Sequence, residues 1–163
     1  MHLLKLFAAV VALSVVGAAS AQADTGPPWG PESPNFNLEA ILRPAADGPD
    51  QGFGLVKFRQ PNDANTIIYL DVWVRDLLPN HTYYVQRAVD TTVDDVCTGS
   101  NWTMPTLGTI TTDDGGTGRA ALSRSIPGSL LGREFDIHFR IAETETATSG
   151  VLESACYQYT VSQ

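Results

Sequence analysis

The stretch Asn65–Val89, NTIIYLDVWVRDLLPNHTYYVQRAV, constrains the fold more than any other part of the chain. In its first run Ile68, Leu70, Val72 and Val74 fall on one face. Ile67, Tyr69, Asp71, Trp73 and Arg75 fall on the other. A period of two with one wholly apolar face is the pattern of a strand lying on a core. Aromatic and β-branched residues suit that pleated, half-buried setting. The run ends at Leu77-Leu78-Pro79-Asn80, because proline cannot donate to a ladder and asparagine tolerates turn geometry. From Thr82 the alternation resumes, with Tyr83, Val85, Arg87 and Val89 opposing Thr82, Tyr84, Gln86 and Ala88. The stretch therefore reads strand, turn, strand.

The same reasoning places strands over residues 36–43, 52–59, 106–112, 119–126, 135–141 and 151–161. Turn residues separate them. The strongest such signal is Asp113-Asp114-Gly115-Gly116-Thr117-Gly118, where glycine supplies the positive φ of a tight hairpin. Phe135, Ile137, Phe139 and Ile141 make an inward face, with Asp136, His138 and Arg140 outward. Eight short strands and no amphipathic helix imply an all-β antiparallel sandwich or barrel.

Leu77-x-Pro79-x-x-x-Tyr83 resembles the tyrosine corner of fibronectin type III and related immunoglobulin-like sandwiches. In that motif the tyrosine hydroxyl bonds back to the backbone and fixes a turn between two sheets. The resemblance implies a Greek-key-like, immunoglobulin-like β-sandwich of about eight strands, with structural roles for Leu77, Pro79 and Tyr83. It covers the corner and the run after it. About four strands follow the corner strand here, where that family has one, and only three precede it. The architecture is carried over; family membership is not. Such scaffolds host many functions, so the resemblance names none.

Residues 1–23 read as a cleaved signal peptide. Lys5 supplies the positive start, Leu6–Ala19 the apolar run, and Ala21-Gln22-Ala23 the small-x-small cleavage site. Residues 24–35 form a Pro/Gly-rich arm whose one large apolar side chain is Trp29, and residues 36–163 make a single domain. Removing Lys5 leaves nine Lys and Arg against eighteen Asp and Glu, a formal charge of −9. That balance opposes phosphate backbones and anionic membranes, so nucleic acid is not expected as a partner. No later apolar run has membrane-spanning length. In an exported chain, secreted or periplasmic, the two cysteines Cys97 and Cys156 favour a disulfide. A two-cysteine metal site is the rival, with His81 and His138 as further ligands.

Signatures of catalysis are missing from the sequence. There is no Gly-x-Ser-x-Gly elbow and no His-x-His pair for copper or zinc. His81 and His138 read as solvated. The acidic loop with Asp90, Asp94 and Asp95 offers hard oxygens for calcium, against the reading of a solvated turn. Asp113 and Asp114 are expected at the other end of the domain. Tyr69, Trp73 and Trp102 form a candidate ligand platform; the competing reading buries Tyr69 and Trp73 in the core. Asn80 and Asn101 open glycosylation sequons. The expectation is thus a secreted, non-catalytic binding or structural module with an extracellular protein or carbohydrate partner and no cofactor. A small secreted hydrolase and a calcium-stabilised adhesion domain are the alternatives.

Overall fold

A computed structural model describes residues 35–46, 48–61, 66–98 and 103–161. The expected signal peptide, nearly all of the arm, and Asn101 and Trp102 lie outside the described residues. The chain forms β1 (Asn35–Pro44), β2 (Phe53–Pro61), β3 (Ile67–Arg75), β4 (Thr82–Asp90), β5 (Thr106–Thr111), β6 (Gly118–Ser125), β7 (Glu134–Ala142), β8 (Leu152–Ser154) and β9 (Tyr157–Thr160). One 3-10 turn, Gly128–Leu130, precedes β7. The all-β, antiparallel expectation therefore holds, with strand limits within one or two residues of those read from alternation.

One expected strand, 151–161, is two. β8 and β9 lie along the same edge of β7, opposite Arg140–Ile141 and Glu134–Ile137 respectively. Ala155 and Cys156 break the ladder between them. There Cys156 is bonded to Cys97, with the two Cα atoms 5.5 Å apart.

The strands make one sheet in the order β5-β4-β7-β8-β1-β2-β3-β6, with β9 on β7. β8 pairs with both β7 and β1, which joins the two walls that a sandwich would keep apart. At the opposite seam the β5–β6 hairpin meets at the bridge Thr112–Gly118. Beyond it β5 follows β4 and β6 follows β3, so the two diverge. The result is a curled, nearly closed barrel, not a separated pair of sheets. Closure of this kind removes most of the sheet's exposed edge.

The inner face holds Ala40, Leu42, Val56, Phe58, Leu70, Val72, Val74, Val85, Phe139 and Ile141, all buried. Phe58 sits at its centre, with ring centroids 4.6 Å from Tyr159 and 6.0 Å from Phe139. A fully buried side chain of that size contributes about 1.5–3 kcal/mol. Ile68, Leu70, Val72 and Val74 point inward, as the alternation predicted.

β3 and β4 are not neighbours in the sheet, so the corner between them crosses from one wall to the other. Tyr83 is buried, and its hydroxyl accepts a hydrogen bond from the Leu78 backbone N–H at 3.1 Å. The corner is stitched to the β5–β6 turn. Leu77 N donates to Gly116 O, Asn80 N to Asp113 O and Thr112 N to His81 O, at 3.2, 2.9 and 2.9 Å. The Thr112 hydroxyl donates to Leu78 O at 2.6 Å and accepts from His81 N at 3.0 Å. Gly116 has a φ of +74°, and a Cβ there would run into the Leu77 carbonyl. This end of the barrel needs glycine at that position.

Candidate ligand-binding face

The side chains that alternate outward from β1, β2, β3 and β6 build a continuous surface. Register sets its rows. Ile41, Leu55, Trp73 and Arg119 lie side by side across the four strands. Glu39, Lys57, Asp71 and Ala121 form the next row, and Arg59, Tyr69 and Ser123 the one after. Phe53 stands opposite Arg75.

Tyr69 and Trp73 belong to this outer face, which corrects the reading that buries them in the core. Tyr69 is 36% exposed and Trp73 is half-buried. Strand parity forces the outcome: once Ile68, Leu70, Val72 and Val74 face inward, the odd-numbered neighbours cannot. Trp73 packs beside a partner from the next strand, the Phe53 ring, whose centroid is 5.9 Å away in an edge-on arrangement.

Arginines lie over these rings. Arg75 is 5.3 Å from the Phe53 centroid and 5.9 Å from that of Trp73. Arg43 is 5.2 Å from Phe53, and Arg59 is 5.9 Å from Tyr69. Stacking leaves the edge of a guanidinium, with its donors, free to meet an anion. Five cations on the outer side of these strands (Arg43, Lys57, Arg59, Arg75 and Arg119) face two carboxylates, Glu39 and Asp71. Lys57 pairs with Glu39 at 3.1 Å, Arg119 with Asp71 at 3.3 Å, and Arg75 with the turn residue Asp76 at 3.1 Å. Arg43 and Arg59 make no ion pair among the described residues. Glu153, opposite Arg43 on β8, instead accepts from Gly150 N at 2.9 Å. A chain of formal charge −8 thus carries a locally basic, aromatic face.

Sequence reasoning found Tyr69 and Trp73 but missed Phe53, Arg43, Arg59 and Arg75. No single strand shows the cross-strand grouping. Between residues 43 and 75 four cations are balanced by four acids, so the linear charge pattern carried no signal of the patch.

The acidic loop is tied to its own backbone and to β7, with Asp94 and Asp95 exposed. Asp90 is buried, and its Oδ1 accepts from Thr92 N at 2.9 Å. Asp94 Oδ1 accepts from Val96 N at 3.0 Å. The backbone N–H groups of Asp94 and Asp95 both donate to Asp136 Oδ2, at 2.9 and 2.8 Å. The loop therefore folds over the outer face of β7, where Asp136 is fully buried instead of solvated. Groups of three or more His, Cys, Asp or Glu that could hold a metal ion are absent among the described residues. Asp113 Oδ1 likewise caps its own turn, accepting from Gly115 N and Thr117 N at 2.9 Å each.

The loop after β7 covers the neighbouring part of this wall. Arg140 donates from Nε to Gln86 Oε1 at 2.9 Å and from its terminal nitrogens to Thr148 O and Ala147 O at 2.9 and 2.8 Å. Gln86 in turn donates to Glu145 O at 2.8 Å. His138, expected to be solvated, is half-buried between these loops. Burial pushes its pKa below the ordinary value, against the opposing pull of Glu153. Ser154 lies close by, but its hydroxyl donates to Ala155 O at 2.6 Å and accepts from Phe139 N at 2.9 Å. Its proton is directed to the backbone, whereas a Ser–His nucleophile directs it to an imidazole base.

Asn80 is exposed at the corner, with a φ of +52° that asparagine accommodates. None of the described helices is long and apolar enough to cross a membrane. No model of a known protein family matches the chain, and a search of curated proteins finds no match.

Proposed function

We propose that the chain is an exported, non-catalytic binding module whose β1-β2-β3-β6 face docks an anionic polysaccharide. The observation that carries this reading is the outward position of Tyr69 and Trp73 among stacked arginines. Two rings four residues apart on one strand are spaced by about 13 Å and present flat apolar surface to sugar faces. Arg43 and Arg59, beside those rings and without an ion pair among the described residues, supply donors for carboxylate or sulfate groups. Export is supported by the apolar leader and by the Cys97–Cys156 bond, which suits an oxidising compartment. The tyrosine corner shared with immunoglobulin-like sandwiches fits a scaffold that presents a face.

Affinity electrophoresis of residues 24–163 through gels containing polygalacturonate, or a neutral glucan as control, tests the reading. Retention is expected in polygalacturonate and should weaken as salt is raised. Trp73→Ala, Tyr69→Ala and the double change Arg43→Gln, Arg59→Gln should each reduce it at least fivefold. Equal mobility in both gels, or variants that migrate like the parent, would refute the assignment. Salt-insensitive retention by neutral glucan alone would refute its charge component.

A further inference from the structure

The open seam between β5 and β6 leads to a cavity of about 310 Å³ in the barrel interior, on the opposite side of the wall from the face described above. Its walls are mostly apolar and include Phe58, Ile68, Leu107, Ile126, Phe135 and Ile137. Two arginines, Arg87 and Arg124, share this lining, and among the described residues no carboxylate does. Arg87 comes from β4, on the inward side with Tyr83, Val85 and Val89. Arg124 comes from β6, opposite inward-facing Ile68.

The two cations differ. Arg124 is anchored, donating to Leu107 O at 2.6 Å and to Ser123 O at 3.3 Å. Arg87 carries a buried Nε with no hydrogen-bond partner among the described residues. Desolvation and the nearby Arg124 charge both work against its charged form. A buried cation without a counter-charge is costly, and a buried donor left unsatisfied adds to that cost. Among the described residues no acid lines this cavity. Tyr159, also in the lining, donates its hydroxyl to Gln60 Oε1 at 2.7 Å.

We propose that this cavity binds a small apolar carboxylate, its hydrocarbon body against Phe58, Leu107 and Ile126 and its carboxylate on Arg87. The site is concave, mostly apolar and marked by a few convergent polar groups, the common form of a small-molecule pocket. Its volume lies at the lower end of the range for such pockets, which fits a medium-chain fatty acid or an aromatic acid. Guanidinium and carboxylate are matched in both charge and planar geometry. This inference stands apart from the glycan-binding face, since the two use opposite faces of the sheet and share no residue.

The test is titration calorimetry of residues 24–163 with decanoate, and with decanol as a neutral analogue of the same length. Decanoate is expected to bind at one site, at least tenfold more tightly than decanol. Arg87→Met should abolish that preference while leaving decanol affinity within threefold, and Arg87→Lys should keep part of it. Leu130→Trp, at the partly exposed rim of the cavity, should block both ligands without disturbing the barrel centre. Thermal unfolding checks that each variant is folded, and bound decanoate should raise Tm in the parent but not in Leu130→Trp. Equal affinity for decanoate and decanol, or an unchanged preference in Arg87→Met, overturns the carboxylate assignment. Absence of binding by either ligand overturns the site, as does binding that survives Leu130→Trp. Failure of the polysaccharide experiment leaves these outcomes unaffected.

Discussion

Replacing Tyr83 by phenylalanine isolates one hydrogen bond at the corner that carries the chain between walls. The phenylalanine ring fills the same buried space, so only the hydroxyl that accepts from Leu78 N is removed. A neutral bond of this kind contributes about 1 kcal/mol, and leaving the part-buried Leu78 N–H unpaired extends the loss to about 1–2 kcal/mol. A domain of about 130 residues has an unfolding entropy near 2.1 cal/mol/K per residue. Each kcal/mol then lowers Tm by about 4 °C, so Tyr83→Phe should unfold about 4–8 °C below the parent. Differential scanning calorimetry at pH 7 measures this directly. Tyr84→Phe, on the other face of the same strand, should stay within about 0.5 kcal/mol of the parent.

Alkaline titration adds a second readout. Burial raises the Tyr83 pKa above the ordinary value of 10.0, outweighing the opposing hydrogen bond from Leu78. Above pH 10 the unfolded chain releases this proton while the folded chain keeps it. Stability contributed by Tyr83 is therefore complete below pH 10 and is lost as the pH rises toward the folded-state value. Tyr83→Phe should show a shallower alkaline decline, with Tyr159 still contributing because its own pKa is raised by burial. A variant within 1 °C of the parent at pH 7, with the same alkaline slope, would show that the corner bond adds nothing.

Reduction of Cys97–Cys156 frees a loop spanning 59 residues, for which chain entropy sets an upper value of about 4 kcal/mol. Unfolding in guanidinium with and without a thiol reductant should show a lower midpoint, and proteolysis should begin in the 90–98 loop. His138 has a pKa held below 6.5 chiefly by burial, so it opposes folding as pH falls from 6.5 toward the folded-state value. Stability measured between pH 7 and 5 should fall less steeply in His138→Gln, and an identical slope would contradict the burial. Gly116→Ala puts a Cβ into the Leu77 carbonyl at positive φ. Its cost should exceed 1 kcal/mol in chemical denaturation, against less than 0.5 kcal/mol for the open position Gly128→Ala.

Much of the fold was legible because alternation is a property of each strand alone. Ile68, Leu70, Val72 and Val74, and Phe135, Ile137, Phe139 and Ile141, face inward where the pattern put them. Leu77, Pro79 and Tyr83 marked the crossing, and Cys97 and Cys156 pair. The same parity misled at β7. Asp136, His138 and Arg140 do point away from the core, but the loops at 90–98 and 143–150 fold back over them. Polar residues on the outer side of a strand carry no mark of what will cover them. Tyr69 and Trp73 erred in the opposite direction, because aromatic character suggested a core that strand parity denied them.

The sequence by itself determined most of the strands, the inward faces of β3 and β7, the turns and the cysteine pair. These follow from short-range sterics, the two-residue repeat and the chemistry of thiols. Tertiary structure alone decided that β8 joins β7 to β1, so that two walls become one curled sheet. It also gathered Phe53, Trp73 and the arginines into one patch and set Arg87 and Arg124 in one mostly apolar cavity. Neighbours across a sheet are fixed by closure between distant segments, a long-range outcome that no local repeat encodes.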